Sequence, residues 1–221
     1  VRRQQQNAGV YEILILTKYY ERGSLLQLMN DRLANGAGGG YLSEEMILKM
    51  LCDICLALSE LHHLDIIHRD IKVENVLIDE LRSNGHDQDF SGCNFVLCDF
   101  GSAVKSQQHQ QTTKANIQSL NDDIEKNTTL AYRSPELVDL YSNKPITTKL
   151  DIWALGCLLY KACYFEMPFG ESPLSIMEGR FFLPEFRQSL YSNEMNKLIS
   201  KQKIDIFFLK ENKQLNDANF S

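Results

Sequence analysis

Two short polar motifs, placed in a fixed order along the chain, constrain its fold more than any other feature. The first runs from His68 to Asn75 (His-Arg-Asp-Ile-Lys-Val-Glu-Asn), and the second is Asp99-Phe100-Gly101. Each adjoins a short run of strand-forming residues, 76 to 78 and 95 to 98. A chance ordered match to both motifs in these local contexts is improbable. We therefore expect a hairpin with one motif before it and the other after it.

The first motif resembles the catalytic loop of protein kinases, and the second resembles their magnesium-binding motif. Phosphoryl transfer depends on positioning and charge neutralisation more than on covalent chemistry by the protein. Asp70 is the expected catalytic residue, because its carboxylate can orient a substrate hydroxyl and accept its proton. Lys72 can place an ammonium against the transferred phosphate. Asn75 and Asp99 offer the oxygen ligands that Mg²⁺ prefers, so we expect them to bind the metal.

A third segment, Thr128 to Glu136, resembles the end of a kinase activation segment, with Ser-Pro-Glu in place of Ala-Pro-Glu. Thr129 stands where serine/threonine kinases keep a threonine that contacts the catalytic Asp and Lys. With Lys72, this favours serine/threonine over tyrosine specificity. Further along, Asp151 matches a kinase aspartate that hydrogen bonds the catalytic-loop backbone. By itself, it could equally be an acid that caps a core helix.

Four runs of the chain resemble the Numb-associated kinases, and the resemblance is nearly continuous from Val10 to about Ile199. These runs are residues 66 to 75, 96 to 103, 128 to 142 and 151 to 161. The resemblance implies a serine/threonine protein kinase that uses ATP and Mg²⁺ and acts on protein substrates. It further implies clathrin-adaptor subunits as substrates and a cytoplasmic location, in part at the surface of clathrin-coated membranes.

The same resemblance implies an adenine site. Thr17 corresponds to the gatekeeper, and Lys18, Tyr19 and Tyr20 correspond to the hinge that hydrogen bonds the base. Leu77 corresponds to the floor beneath the base. We therefore expect these five residues to bind the nucleotide.

The expected fold class is α+β and mostly α, a kinase C-terminal lobe with only remnants of the N-terminal lobe. Residues 1–9 are expected to be a disordered lead, 10–20 the last N-lobe strand and hinge, 21–200 the C-lobe, and 201–221 a divergent tail. No Gly-rich loop, strand lysine or partner glutamate precedes Val10, and no arginine follows Arg187 to pair with Glu136. We therefore expect a fragment of a kinase. The alternative is a truncated, catalytically inactive lobe that acts as a docking module.

Local patterns predict the remaining elements. Residues 10–17 are β-branched and aliphatic, which indicates a buried strand, and a short helix follows from Ser24 to Leu33. Ser43 is an expected N-cap for a long helix whose apolar face comprises Ile47, Leu51, Ile54, Cys55, Leu58 and Leu61. The polar residues 80–92 are expected to be a loosely ordered insertion. Residues 102–127 are expected to be a mobile surface segment.

Composition limits the other functional classes. The chain has 221 residues, 43% hydrophobic and 24% charged, which is ordinary for one main domain. Its formal net charge of −6, without a dense Lys/Arg run, gives no case for binding nucleic acid or an anionic membrane. The apolar run from Ile152 to Phe165 is too short and interrupted to span a membrane and indicates a core helix.

The six cysteines indicate free thiols in a reducing compartment, because most lie within apolar periodic segments. Cys52 and Cys55 have the spacing of half a zinc site, but no second pair of ligands follows at suitable spacing. We expect them to be two core cysteines one helical turn apart.

Overall fold

The structure is a computed structural model that describes residues 3–6, 10–34, 40–80, 92–106, 117–142, 144–184 and 189–200. Its helices are α1 (Leu25–Ala34), α2 (Glu44–His63), α3 (Ile117–Asn127), α4 (Pro135–Val138), α5 (Lys149–Tyr164), α6 (Pro173–Glu178) and α7 (Asn193–Ser200). Its strands are β1 (Arg3–Gln6), β2 (Val10–Ile13), β3 (Ile66–Ile67), β4 (Val76–Glu80), β5 (Cys93–Leu97) and β6 (Val104–Lys105).

Helices α2 and α5 form the centre of the main core. The hydroxyl of Ser43 accepts a hydrogen bond from the Met46 amide at 3.3 Å, so it caps α2 as predicted. The predicted apolar face buries Ile47, Ile54 and Leu58 almost completely. Helix α5 is buried over most of its circumference, which explains why its sequence is apolar without a clear polar side.

Strands β4 and β5 form the predicted antiparallel hairpin, in which Val76 is opposite Leu97 and Ile78 is opposite Phe95. The Phe95 amide donates a hydrogen bond to the Asp53 carboxylate of α2 at 2.8 Å. This contact fixes the hairpin against the core helix. Of the predicted insertion at residues 80–92, Glu80 is the last residue of β4, and residues 81–91 lie outside the described residues.

A second, smaller core lies beside the first and includes part of the segment that was expected to be mobile. Residues 102–127 contain the strand β6, paired with β3, and the helix α3. Ile124 of α3 is 2% exposed and packs in this second core with Ile67, Leu137, Leu140, Ile146 and Leu150. The expectation of a mobile surface segment is therefore wrong for α3 and β6. Residues 107–116 lie outside the described residues.

The amino-terminal expectations need two corrections. Arg3–Gln6 is not a disordered lead but the strand β1, antiparallel to β2. The predicted buried strand over residues 10–17 is shorter, since β2 ends at Ile13 and Leu16 is fully exposed. An apolar strand is buried only where another layer covers it, and the described residues place none over Leu14 to Thr17. The predicted helix after Ser24 is present as α1.

The six cysteines are free thiols, as predicted. The expectation that both Cys52 and Cys55 lie in the core is wrong for Cys52, which is exposed. It lies on the solvent side of α2, one turn from the exposed Leu48 and Leu56. None of the helices described combines the length and hydropathy needed to cross a bilayer.

Candidate active site

The side chain of Asp151 supports the predicted catalytic loop and is fully buried in the first turn of α5. Its two carboxylate oxygens accept hydrogen bonds from the amides of His68 and Arg69, each at 2.9 Å. His62, in the last turn of α2, places its Nε2 2.9 Å from the same carboxylate. The helix cap is Thr148, so Asp151 supports the loop, as the resemblance implies.

His68 connects the catalytic loop to the end of β5. Its Nε2 lies 3.1 Å from the carbonyl oxygen of Cys98, and its Nδ1 lies 3.3 Å from the Asp70 amide. Burial lowers the pKa of His68 below its ordinary value, so the ring is neutral. With a proton on Nε2, the ring donates to Cys98 and accepts from Asp70. Phe100 packs edge-on against the ring at 5.1 Å between centroids.

The three residues predicted to be catalytic converge at one point. The Thr129 hydroxyl donates a hydrogen bond to Asp70 Oδ1 at 2.8 Å and accepts one from Lys72 Nζ at 3.2 Å. Lys72 Nζ also lies 2.6 Å from Asp70 Oδ2. Asp70 is 9% exposed, so its carboxylate is accessible only at one edge. The arrangement fixes the orientation of the carboxylate and keeps a cation beside it.

Each of the two predicted metal ligands has a side-chain oxygen without a hydrogen-bond partner among the described residues. Asn75 Nδ2 donates to the Asp70 carbonyl oxygen at 2.8 Å and to Asp70 Oδ2 at 3.0 Å, which leaves Asn75 Oδ1 available. Asp99 has left-handed backbone angles (φ 63°, ψ 75°), and its Oδ1 accepts from the Gly101 amide at 3.2 Å. The Cys98 amide donates to the Asn75 carbonyl oxygen at 2.9 Å. The residue directly before Asp99 is therefore hydrogen bonded to the catalytic loop.

These oxygen atoms fit Mg²⁺. Within the described residues, Asn75 Oδ1 and Asp99 Oδ2 have no hydrogen-bond partner. That part of the chain contains no cluster of three or more His, Cys, Asp or Glu side chains suited to a metal. Mg²⁺ is commonly bound through one or two protein oxygens together with substrate phosphates. Asn75 Oδ1 and Asp99 Oδ2 are uncommitted oxygens of the kind that such binding uses.

Four of the residues predicted to contact adenine lie between β2 and α1, and the fifth lies on β4. Thr17, Lys18 and Tyr19 are exposed and Tyr20 is half-buried. In the described part of the chain, the main-chain groups of Lys18 and Tyr19 have no hydrogen-bond partner, so they can bond the edge of a base. Leu77 is half-buried on β4, and its bridge to Ser24 places it near the end of this segment.

Comparison with known proteins identifies the family of the chain. The protein kinase domain matches residues 5–207. The chain belongs to the protein kinase family. It is 42% identical over 178 residues to the serine/threonine-protein kinase sel-5 of Caenorhabditis elegans. This alignment covers 80% of this chain and 15% of that protein. It is 38% identical over 194 residues to actin-regulating kinase 1 of Saccharomyces cerevisiae, covering 86% of this chain and 27% of that kinase.

A probable serine/threonine-protein kinase of Dictyostelium discoideum is 40% identical over 191 residues, covering 85% of this chain and 16% of that kinase. The chain therefore spans well under a third of the length of each of these relatives. The predicted α+β, mostly helical kinase fold and the predicted class of serine/threonine kinase are confirmed.

One ion pair of the structure was not predicted from the sequence. The guanidinium of Arg69, 5% exposed, pairs with Asp123 of α3, and its Nε donates to the Ser102 carbonyl oxygen. The contact joins the catalytic loop to α3. The signal was the spacing of Ile117, Leu120 and Ile124, which puts three apolar side chains on one helix face and predicts a packed helix.

The segment that ends in Ser-Pro-Glu contains polar groups without partners. Ser134, which replaces the usual alanine, is 1% exposed, and its hydroxyl has no hydrogen-bond partner among the described residues. Burial raises the pKa of the Tyr132 phenol above its ordinary value. Glu136 is half-buried, and no described cation pairs with it.

Proposed function

We propose that the polypeptide carrying this chain transfers the γ-phosphoryl group of ATP to serine and threonine side chains of other proteins. The observation that supports this proposal most is the contact of Thr129 with Asp70 and of Lys72 with both. A carboxylate held at one orientation beside an ammonium is what in-line phosphoryl transfer requires of a protein.

Asp70 orients the substrate hydroxyl and accepts its proton as the oxygen bonds to the γ-phosphorus and the bond to ADP breaks. Lys72 offsets the negative charge that develops on the transferred group. Asn75 and Asp99 would hold Mg²⁺, which supplies positive charge against the phosphate oxygens. Asp151 keeps the loop backbone in position during the reaction, because its carboxylate is fixed by two amide donors.

The adenine of ATP is proposed to bond the main chain of Lys18 and Tyr19 and to lie over Leu77, with Thr17 and Tyr20 at the ends of this segment. The unpaired main-chain groups of the segment support this placement. Its exposed position leaves room for a base to reach those groups.

The finer assignment is to the Numb-associated kinases, with clathrin-adaptor subunits as substrates and a cytoplasmic location at clathrin-coated membranes. It rests on the four runs of sequence that resemble that group. Transfer of labelled phosphate to purified clathrin-adaptor subunits, compared with an unrelated protein, tests the substrate proposal.

The test of the catalytic proposal is the variant Asp70→Asn in the full-length polypeptide. We expect phosphate transfer to fall by at least about 100-fold, because the proton acceptor is lost, while the affinity for Mg²⁺-ATP changes little. Asp31→Asn, an exposed change on α1, is the matched control and should keep full activity. Retained transfer in Asp70→Asn would refute the assignment. Protein binding without nucleotide binding in the wild type would favour the docking module.

A further inference from the structure

An ion pair connects the predicted hinge to the strand that carries the predicted adenine floor. Lys18 Nζ lies 2.7 Å from Asp79 Oδ1 and 2.6 Å from Asp79 Oδ2, across 61 residues of sequence. The lysine side chain is 60% exposed and the aspartate 20%. The same ammonium lies 5.3 Å from the centre of the Tyr20 ring. The aromatic face adds attraction for the cation and orients it.

A second attachment lies one residue away on the same strand. The Ile78 amide donates to the Gly23 carbonyl oxygen at 3.0 Å, and the Gly23 amide donates to the Tyr20 carbonyl oxygen at 3.1 Å. Residues 18–23 are therefore fixed to β4 at both ends, by a side chain at Lys18 and by main chain at Gly23. Without the ion pair, only the Gly23 end would remain attached through these contacts.

The two attachments lie next to Leu77. Successive side chains of a strand point to opposite faces, so Leu77 and Asp79 share one face of β4. The burial pattern agrees, since Val76 and Ile78 are buried whereas Leu77 and Asp79 are partly exposed. The Lys18 side chain therefore connects the predicted hinge to the face of β4 that carries Leu77.

We infer that Lys18 and Asp79 are positioning residues for the nucleotide, whose ion pair sets the separation between the hinge main chain and Leu77. We name this pair the hinge latch. The inference rests on the proposed function, because it assumes that adenine binds between those two surfaces. Within the described residues, the side chains of Lys18 and Asp79 form no hydrogen bond or ion pair with the catalytic loop. We therefore expect the latch to act on the binding of the base and to leave the transfer step unchanged.

The size of the effect follows from the exposure of the pair. An exposed ion pair contributes little to folding, because water screens it and two long side chains lose freedom. We therefore expect loss of the latch to weaken adenosine binding by about threefold to fivefold, and not more. In kinetic terms, the KM for ATP should rise while kcat stays constant.

The experiment uses the full-length polypeptide with Lys18→Met, Asp79→Asn and the double charge reversal Lys18→Asp with Asp79→Lys. Adenosine and Mg²⁺-ATP are the probes, because adenosine reports on the base alone. Each single variant should weaken adenosine binding, and the charge reversal should restore it to within about twofold of the wild type. Lys144→Met, which removes an exposed lysine without a described partner, is the matched control. Unchanged affinity in the single variants, or failure of the reversal to restore it, would overturn the inference.

A second measurement does not require nucleotide. Tyr19 is 80% exposed within the latched segment, so chymotrypsin can cut there. Cleavage at Tyr19 in the ligand-free protein should be faster in Asp79→Asn than in the wild type or the control. In the charge reversal, the cleavage rate should be lower than in Asp79→Asn. Equal rates would overturn the latch whether or not ATP binds. Failure of the wild type to bind ATP, with the cleavage difference present, would instead contradict the proposed function alone.

Discussion

Asp151 shows how one buried side chain determines the geometry of several exposed ones. Its carboxylate accepts two amide hydrogen bonds from the catalytic loop and lies against His62. A fully buried charge is tolerated only where such donors surround it. The position of Asp70 therefore depends on a residue that never meets the substrate.

Asp151→Asn should lower the free energy of unfolding by about 3 kcal/mol, because an amide NH₂ would face one of the two backbone N–H donors. Urea unfolding followed by circular dichroism measures this. Asp122→Asn, an exposed change on α3, should shift the free energy by no more than about 0.5 kcal/mol. Equal stability of the two variants would mean that Asp151 does not support the loop.

The candidate catalytic residues could be selected from the sequence because their chemistry permits few substitutions. A proton acceptor, an ammonium and two oxygen ligands at fixed spacings can be recognised in a sequence before the fold is known. The partner of Arg69 could not be found in this way, because Asp123 is one of several acids in a polar segment. Which acid meets the guanidinium depends on how α3 packs, and that contact lies 54 residues away in sequence.

At the scale of elements, α3 is the helix that amino-acid composition does not predict. Its polar residues outnumber its apolar ones, yet Ile117, Leu120 and Ile124 lie on one face and contact the second core. Long helices with a broad apolar face, such as α2, were predicted with their caps. The strand over residues 10–17 was predicted too long, because β propensity does not show whether a covering layer is present.

Asp123→Asn should loosen the contact between α3 and the catalytic loop, because the buried Arg69 guanidinium would lose its carboxylate. Asp123 is itself 39% exposed, so we expect a loss of about 1 kcal/mol rather than the larger cost of a fully buried pair. Urea unfolding measures the change, with Asp122→Asn as a neighbouring control. A double variant with Arg69→Met that is no less stable than Asp123→Asn would confirm that the two residues act together.

At the scale of the whole molecule, burial makes the protein sensitive to alkaline pH. Burial raises the pKa of the Cys157 thiol from 9.0 to about 12, so the folded state keeps its proton where the unfolded state loses it. Above pH 9 the unfolded state therefore binds fewer protons, and stability falls as pH rises. The sign is the same for Cys163 and Tyr191, whose pKa values burial also raises.

The free energy of unfolding should therefore fall between pH 8 and pH 10, with Cys157 contributing about 1 kcal/mol of that loss. Urea unfolding at the two pH values measures it. In Cys157→Ala the protein should be less stable at pH 8, but its loss between the two pH values should be smaller by about that amount. An identical loss in the variant would show that the thiol ionises equally in both states.

The division of the core into two clusters separates catalysis from global stability. The second core holds α3, and Thr129 follows that helix by two residues, tied to it through the Thr128 hydroxyl and the Ile124 carbonyl oxygen. A sub-global opening of this small cluster would remove the Thr129 hydroxyl from Asp70 while α2 stays folded. The fraction of competent molecules would then follow the opening equilibrium of one minor foldon. If phosphate transfer proceeds as proposed, a substitution there should lower it without changing the melting temperature of the main core.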